Sequence, residues 1–181
     1  NYEVAWGNGR AGTVLLVNRG SMTGACYVGT GRGLLHCLGN FPPLRLTKDE
    51  GVPMAILDAV IDGVGHVWVT TFDSGVFRSL QPVDSWVGND RPELVFAKEP
   101  TWRELSANDE PIATQGVVAI PQGVAVYTSH GLRLLQVDGG AVIASDSIGR
   151  SDGLIDDRVF FGSYNAMQKL LYVGSNHGIS A

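Results

Sequence analysis

Four histidines, His36, His66, His130 and His177, and three acidic pairs, Asp49–Glu50, Asp109–Glu110 and Asp156–Asp157, carry the proton-moving and metal-binding capacity of this chain. Two carboxylates facing one another at a suitable separation would serve a glycoside hydrolase or lyase as acid and base. Clustered histidines would hold zinc, but no H-E-x-x-H or C-x-x-C occurs, and neither zinc nor acyl-transfer chemistry is predicted. The acidic pairs stand in "TKDEG", "ANDEP" and "LIDDR", whose composition suits turns and solubility. "GNGRAG", Gly7 to Gly12, matches G-x-G-x-x-G, but a dinucleotide site needs a helix at the third glycine and an acidic residue about 20 positions on. The strand-like "TVLLVNRG" follows instead, and no Asp or Glu stands between Thr13 and Lys48. The same objection removes "GTGRG", Gly29 to Gly33. No cofactor and no metal is expected.

The two cysteines, Cys26 and Cys37, bracket "ACYVGTGRGLLHC". A two-residue turn at Gly31 and Arg32 would set them directly opposite on paired strands, either as a disulfide or as two small apolar thiols. Neither reading fixes the compartment.

These side chains need elements to position them, and the composition says which. The 181 residues are 44% hydrophobic and 17% charged, enough for a buried core. Glycine supplies 24 of them, well above the usual share, and together with Val, Thr and Tyr it points to short strands joined by tight turns. A net charge of -5, with no basic run, excludes a nucleic-acid backbone as partner. No apolar run approaches the roughly 18 residues of a membrane span, so no membrane insertion of this segment is expected.

Four stretches repeat one pattern: "CYVGTGRGLLHC", "VWVTTFDSGVFRSL", "AVYTSHGLRLLQV" and "LYVGSNHGIS". Each has an aromatic residue in a β-branched strand (Tyr27, Trp68, Tyr127, Tyr172), small polar residues, a glycine and a second apolar strand. The glycines, Gly33, Gly75, Gly131 and Gly178, are spaced by 42, 56 and 47 residues, an interval that fits propeller blades of four strands each. The predicted fold is therefore all-β: a β-propeller of about four blades or blade fragments, each a four-stranded antiparallel sheet. The units run approximately over 7–48, 49–106, 107–150 and 151–181. One such sheet cannot cover both its faces, so neighbours stack and bury the recurring aromatic, while the glycine allows positive φ at the hairpin turn. The fourth unit lacks an outer strand. Either "NYEVAW" supplies it and closes a ring, or the chain is an excerpt of a larger propeller, the preferred reading.

In a four-stranded blade the middle hairpin and the outer-to-inner connection emerge on one rim. Arg32, Asp73, His130 and His177 are accordingly expected on a shared face beside the acidic turns, as the binding surface. The polar, proline-containing stretch from Gln81 to Pro111 is an enlarged loop, in which Trp86 and Trp102 either recognise a partner or pack down to hold the loop.

The second and fourth units, "DEGVPMAILDAVIDGVGHVWVTTFDSGVFR" and "SDGLIDDRVFFGSYNAMQKLLYVGSNHGIS", resemble the two-component regulator propeller repeat. Asp62, Gly65, Trp68, Thr71 and Gly75 match in the one, and Gly153, Leu154, Val159, Tyr172, Gly174, Ser175 and Gly178 in the other. Asn165 replaces the usual Asp. The resemblance implies a non-catalytic, extracytoplasmic (periplasmic) sensing module of a larger signalling protein, with a small-molecule or carbohydrate ligand or a protein partner. No binding residue carries over, because the family has no fixed binding motif. The alternatives are a scaffold subunit of a large assembly and a propeller-based lyase or glycoside hydrolase.

Overall fold

The computed structural model describes residues 11–16, 25–30, 32–38, 44–48, 51–72, 74–83, 96–98, 112–138 and 141–181. Asp73, Trp86, Trp102, "NYEVAW" and the pairs Asp49–Glu50 and Asp109–Glu110 lie outside them. Among the described residues fifteen strands form four antiparallel sheets, each a simple meander in chain order. The first contains β1 (Ala11–Leu16), β2 (Ala25–Thr30), β3 (Gly33–Leu38) and β4 (Leu44–Leu46). The second contains β5 (Ile56–Ile61), β6 (Val67–Thr71), β7 (Gly75–Ser79) and β8 (Phe96–Lys98). The third contains β9 (Thr114–Ile120), β10 (Gly123–Thr128), β11 (Gly131–Asp138) and β12 (Ala141–Ile148). The fourth has, among the described residues, three strands, β13 (Val159–Asn165), β14 (Leu170–Ser175) and β15 (Gly178–Ser180). The strand β1 begins at Ala11, inside "GNGRAG", where a dinucleotide site would need a helix.

Sheets meet through their first strands, β1 on β5, β5 on β9 and β9 on β13. Between the second and third sheets Trp68 packs with Val76, Ile112, Val117, Val124, Val126 and Leu135. Trp68 is completely buried, and an aromatic of this size stabilises by roughly 3 kcal/mol when withdrawn from water. Between the third and fourth, Tyr127 packs with Leu132, Val159 and Val173. Strands between two such layers are buried on both faces, and β6 and β10 accordingly hide every residue.

The recurring aromatics are less uniform than their sequence suggests. Counted back from the hydroxyl residue that ends each second strand, Tyr27, Trp68 and Tyr172 stand three positions away and Tyr127 only one. Tyr127 is thus two cross-strand pairs nearer the hairpin tip. Two residues is one pleat, so it still points to the same side of its sheet as Ala125, the true counterpart of Trp68.

A further repeat is invisible in the strand patterns. In every sheet the pairing of first and second strands slips by one residue at the same place, skipping Gly12, Leu57, Gln115 and Phe160. Each is a β-bulge, which bends the strand and strengthens its twist.

The β5–β6 turn is built on a buried carboxylate. Asp62 Oδ1 accepts the N–H groups of Val64 (3.0 Å), Gly65 (2.8 Å) and His66 (2.9 Å), and Oδ2 accepts Trp68 Nε1–H at 2.8 Å. In the fourth sheet Asn165 does the equivalent work with a neutral amide, Oδ1 accepting from Met167 at 3.0 Å and Gln168 at 3.1 Å. Cys26 and Cys37 are Cα partners in the β2–β3 ladder, as the two-residue turn requires. The Cys37 side chain lies outside the described residues.

Candidate functional site

The four hairpin tips are closed by one device. Thr30, Thr71, Thr128 and Ser175 donate their hydroxyls to the carbonyls of Gly33 (3.0 Å), Gly75 (2.9 Å), Gly131 (2.9 Å) and Gly178 (3.2 Å). Each hydroxyl also accepts the N–H of the residue before the glycine: Arg32 (3.1 Å), Ser74 (3.1 Å), His130 (2.9 Å) and His177 (3.2 Å). All four glycines have positive φ, from 87° at Gly75 to 137° at Gly178, a conformation a side chain disfavours. The residue ahead of each glycine is thereby held at a rigid tip with its side chain unused by the ladder.

The tips of the second and third sheets each touch the segment leading into the next sheet, and the tip of the fourth touches the segment leading into its own. Thr114, at the start of β9, donates its hydroxyl to the Thr71 carbonyl, and Gly131 N–H donates to the Asp157 carbonyl. The sequence-predicted residues Arg32, His130 and His177 all occupy such tips, with Arg32 exposed. His130 is half-buried, and its Nδ1 lies 2.9 Å from Ser129 Oγ.

The fourth unit's acidic turn joins two tips. Asp156 Oδ2 stands 2.6 Å from Nδ1 of the exposed His177. The next residue, Asp157, touches the third sheet's tip through its carbonyl, while its Oδ1 accepts Arg150 N–H at 2.7 Å. The hydrogen bond from His177 holds the Asp156 carboxyl below its ordinary range, helped by the Arg158 N–H and the charge of Arg150. The two carboxylates are engaged with different partners, Asp156 with His177 and Asp157 with the Arg150 N–H. With Nδ1–H donating to Asp156, the ring leaves Nε2 to accept from a ligand, or to donate once protonated.

Sequence reasoning passed over three features of this rim. Phe72, 73% exposed beside the β6–β7 tip, reads in sequence as one more core aromatic. Arg150 carries no motif of its own. Gly149-Arg150-Ser151-Asp152-Gly153 has the G-x-S-x-G spacing, but Ser151 lies in an exposed three-residue 3₁₀ turn, and its hydroxyl meets Asp152 at 3.3 Å. A nucleophile elbow needs a strand-to-helix turn and a histidine base. Among the described residues no three His, Cys, Asp or Glu side chains converge as a metal site would need.

No family model and no curated protein matches the sequence. Solved structures match the fold. One is the extracellular domain of the putative hybrid two component system BT3049 from B. thetaiotaomicron, with TM-score 0.66, 14% identity, and coverage of 93% of this chain and 20% of that one. Another is PorZ of Porphyromonas gingivalis, described as an essential bacterial surface component of the type-IX secretion system, with TM-score 0.65, 17% identity, and coverage of 94% and 25%. A third is the extracellular domain of the putative one component system BT4673 from B. thetaiotaomicron, with TM-score 0.61, 13% identity, and coverage of 93% and 21%. The chain spans a fifth to a quarter of the length of these structures, and what it shares with them is the fold. Two of the three are extracellular domains of component systems, the group of proteins to which the repeat resemblance points.

Proposed function

We propose that this chain is a section of a β-propeller that serves an extracytoplasmic sensor as a non-catalytic binding module, with the hairpin rim as its recognition surface. The observation that carries the reading is the repeated hydroxyl–glycine clamp. It fixes four tips by the same bonds while leaving Arg32, Ser74, His130 and His177 chemically different, the property of a binding surface on a rigid scaffold. His177, Asp156 and Arg150 suit a polar ligand such as a carbohydrate. The fold shared with extracellular domains of component systems supports the sensing role and the extracytoplasmic location.

The test is a thermal-shift screen of the chain against a panel of soluble oligosaccharides, followed by calorimetry on any hit. His177→Ala and Arg32→Ala are expected to weaken binding about tenfold, the size of one lost polar anchor. A hit indifferent to both substitutions refutes the rim. The likeness to PorZ supports a second reading, a component of a larger surface assembly, which predicts protein capture through exposed Phe72 instead.

A further inference from the structure

Two joints between consecutive sheets obey one rule. The residue just past the bulge and its cross-strand partner form a pair, Asp58 with Thr70 in the second sheet and Gly116 with Tyr127 in the third. From each pair one side chain crosses to the next sheet's first strand and bonds its backbone two residues past that strand's own bulge. Asp58 Oδ2 accepts Val117 N–H at 3.0 Å, and Tyr127 Oη donates to the Gly162 carbonyl at 3.1 Å. The receiving strand is kept thin. A Cβ on Gly116 would meet Asp58 Oδ2 at 2.8 Å, and one on Gly162 would meet the Tyr127 ring at 2.7 Å.

The equivalent pair in the fourth sheet is Phe161 with Gly174, and the Phe161 ring lies where a Gly174 side chain would be. Gly174 in turn pairs with Ile179. The row faces away from the third sheet, with Phe161 57% and Ile179 61% exposed. We propose that this row is the joint for a further four-stranded sheet of the same repeat, whose first strand lays a glycine or alanine, one or two residues past its own bulge as Gly116 and Gly162 stand, against the Phe161 ring. The inference rests on reading the chain as a propeller section. Phenylalanine has no hydroxyl to bond a carbonyl, so this contact is apolar where the Tyr127 joint is mixed. The rule is also directional: a post-bulge pair meets a first strand. A second copy related by a two-fold axis would set the row against itself, so Phe161 would meet the Phe161 face of a first strand and not the face on which Gly162 meets Tyr127.

The test is thiol labelling of the native polypeptide, with the reference Met167→Cys at a site 95% exposed. Phe161→Cys is expected to label at least about tenfold more slowly than the reference at every protein concentration, as a buried joint requires. Ile179→Cys, which keeps the ring, is the second variant and should behave alike. Labelling of both at the reference rate overturns the proposal. Protection that disappears on dilution also overturns it, because the occupant is then a second copy. Rim variants that abolish oligosaccharide binding leave this readout unchanged, so the two readings fail separately.

Discussion

Asp62 holds three backbone N–H groups and one indole N–H from a site 3% exposed. Asp62→Ala strands those donors, and urea denaturation should show a loss of about 3–4 kcal/mol. Asp62→Asn, which keeps an acceptor at Oδ1, should cost less, as Asn165 already demonstrates in the fourth sheet. At the rim, Asp156 titrates below its usual range because its charged form accepts from His177. A depressed carboxylate stabilises the fold fully above its unfolded value near 4, and the contribution vanishes as pH falls through the lower folded value. His177→Ala should return Asp156 toward the ordinary range, read by its carboxyl NMR shift against pH. The burial of Trp68 was legible in the sequence, whereas Asn165 stood there only as a departure from the usual Asp and its turn role emerged from the structure. The exposure of Phe72 was not legible, because an aromatic in a β-branched run looks the same whether its pleat faces a neighbour or water.

The hairpin tip is the element that repeats most faithfully, and its glycines are not equally replaceable. A Cβ on Gly131 would collide with the Ile148 carbonyl, whereas on Gly178 it would find only Ile155 Cδ1 at 3.4 Å. Gly131→Ala should therefore destabilise by at least about 3 kcal/mol and Gly178→Ala by about 1–2 kcal/mol, measured by chemical denaturation. Strand order, the facing of Cys26 with Cys37 and the positive φ of all four glycines followed from alternation and turn chemistry alone. The bulges did not. Gly12, Leu57, Gln115 and Phe160 share no side-chain chemistry, so the slip they mark belongs to the backbone and leaves no compositional trace.

Across the whole molecule burial is uneven. The second and third sheets hold Val67, Trp68, Val69, Val124, Ala125 and Val126 without exposure, while the fourth presents Phe160, Phe161, Leu170 and Ile179 to solvent. Stacked units are stabilised by their nearest neighbours, so in residues 1–181 taken alone, without the further sheet, amide hydrogen exchange should be slowest in β6 and β10 and markedly faster in β14. Equal protection in all three would mean that the fourth sheet is held by something other than the third. The tyrosine at their joint carries a related signature: burial first, then the Asp58 charge, pushes the Tyr127 phenol well above its ordinary value. Raising pH toward 11, past the ordinary phenol value near 10, should leave it neutral, as ultraviolet difference titration of the protein against Tyr127→Phe would show. The joints themselves leave the sequence of the gripped strand largely free. Asp58 and Tyr127 grip main-chain atoms, which every amino acid supplies in the same place, so the strand being gripped is constrained in thickness and hardly at all in identity. Substitutions can accumulate on it like changes of lettering on bricks laid in unchanged mortar.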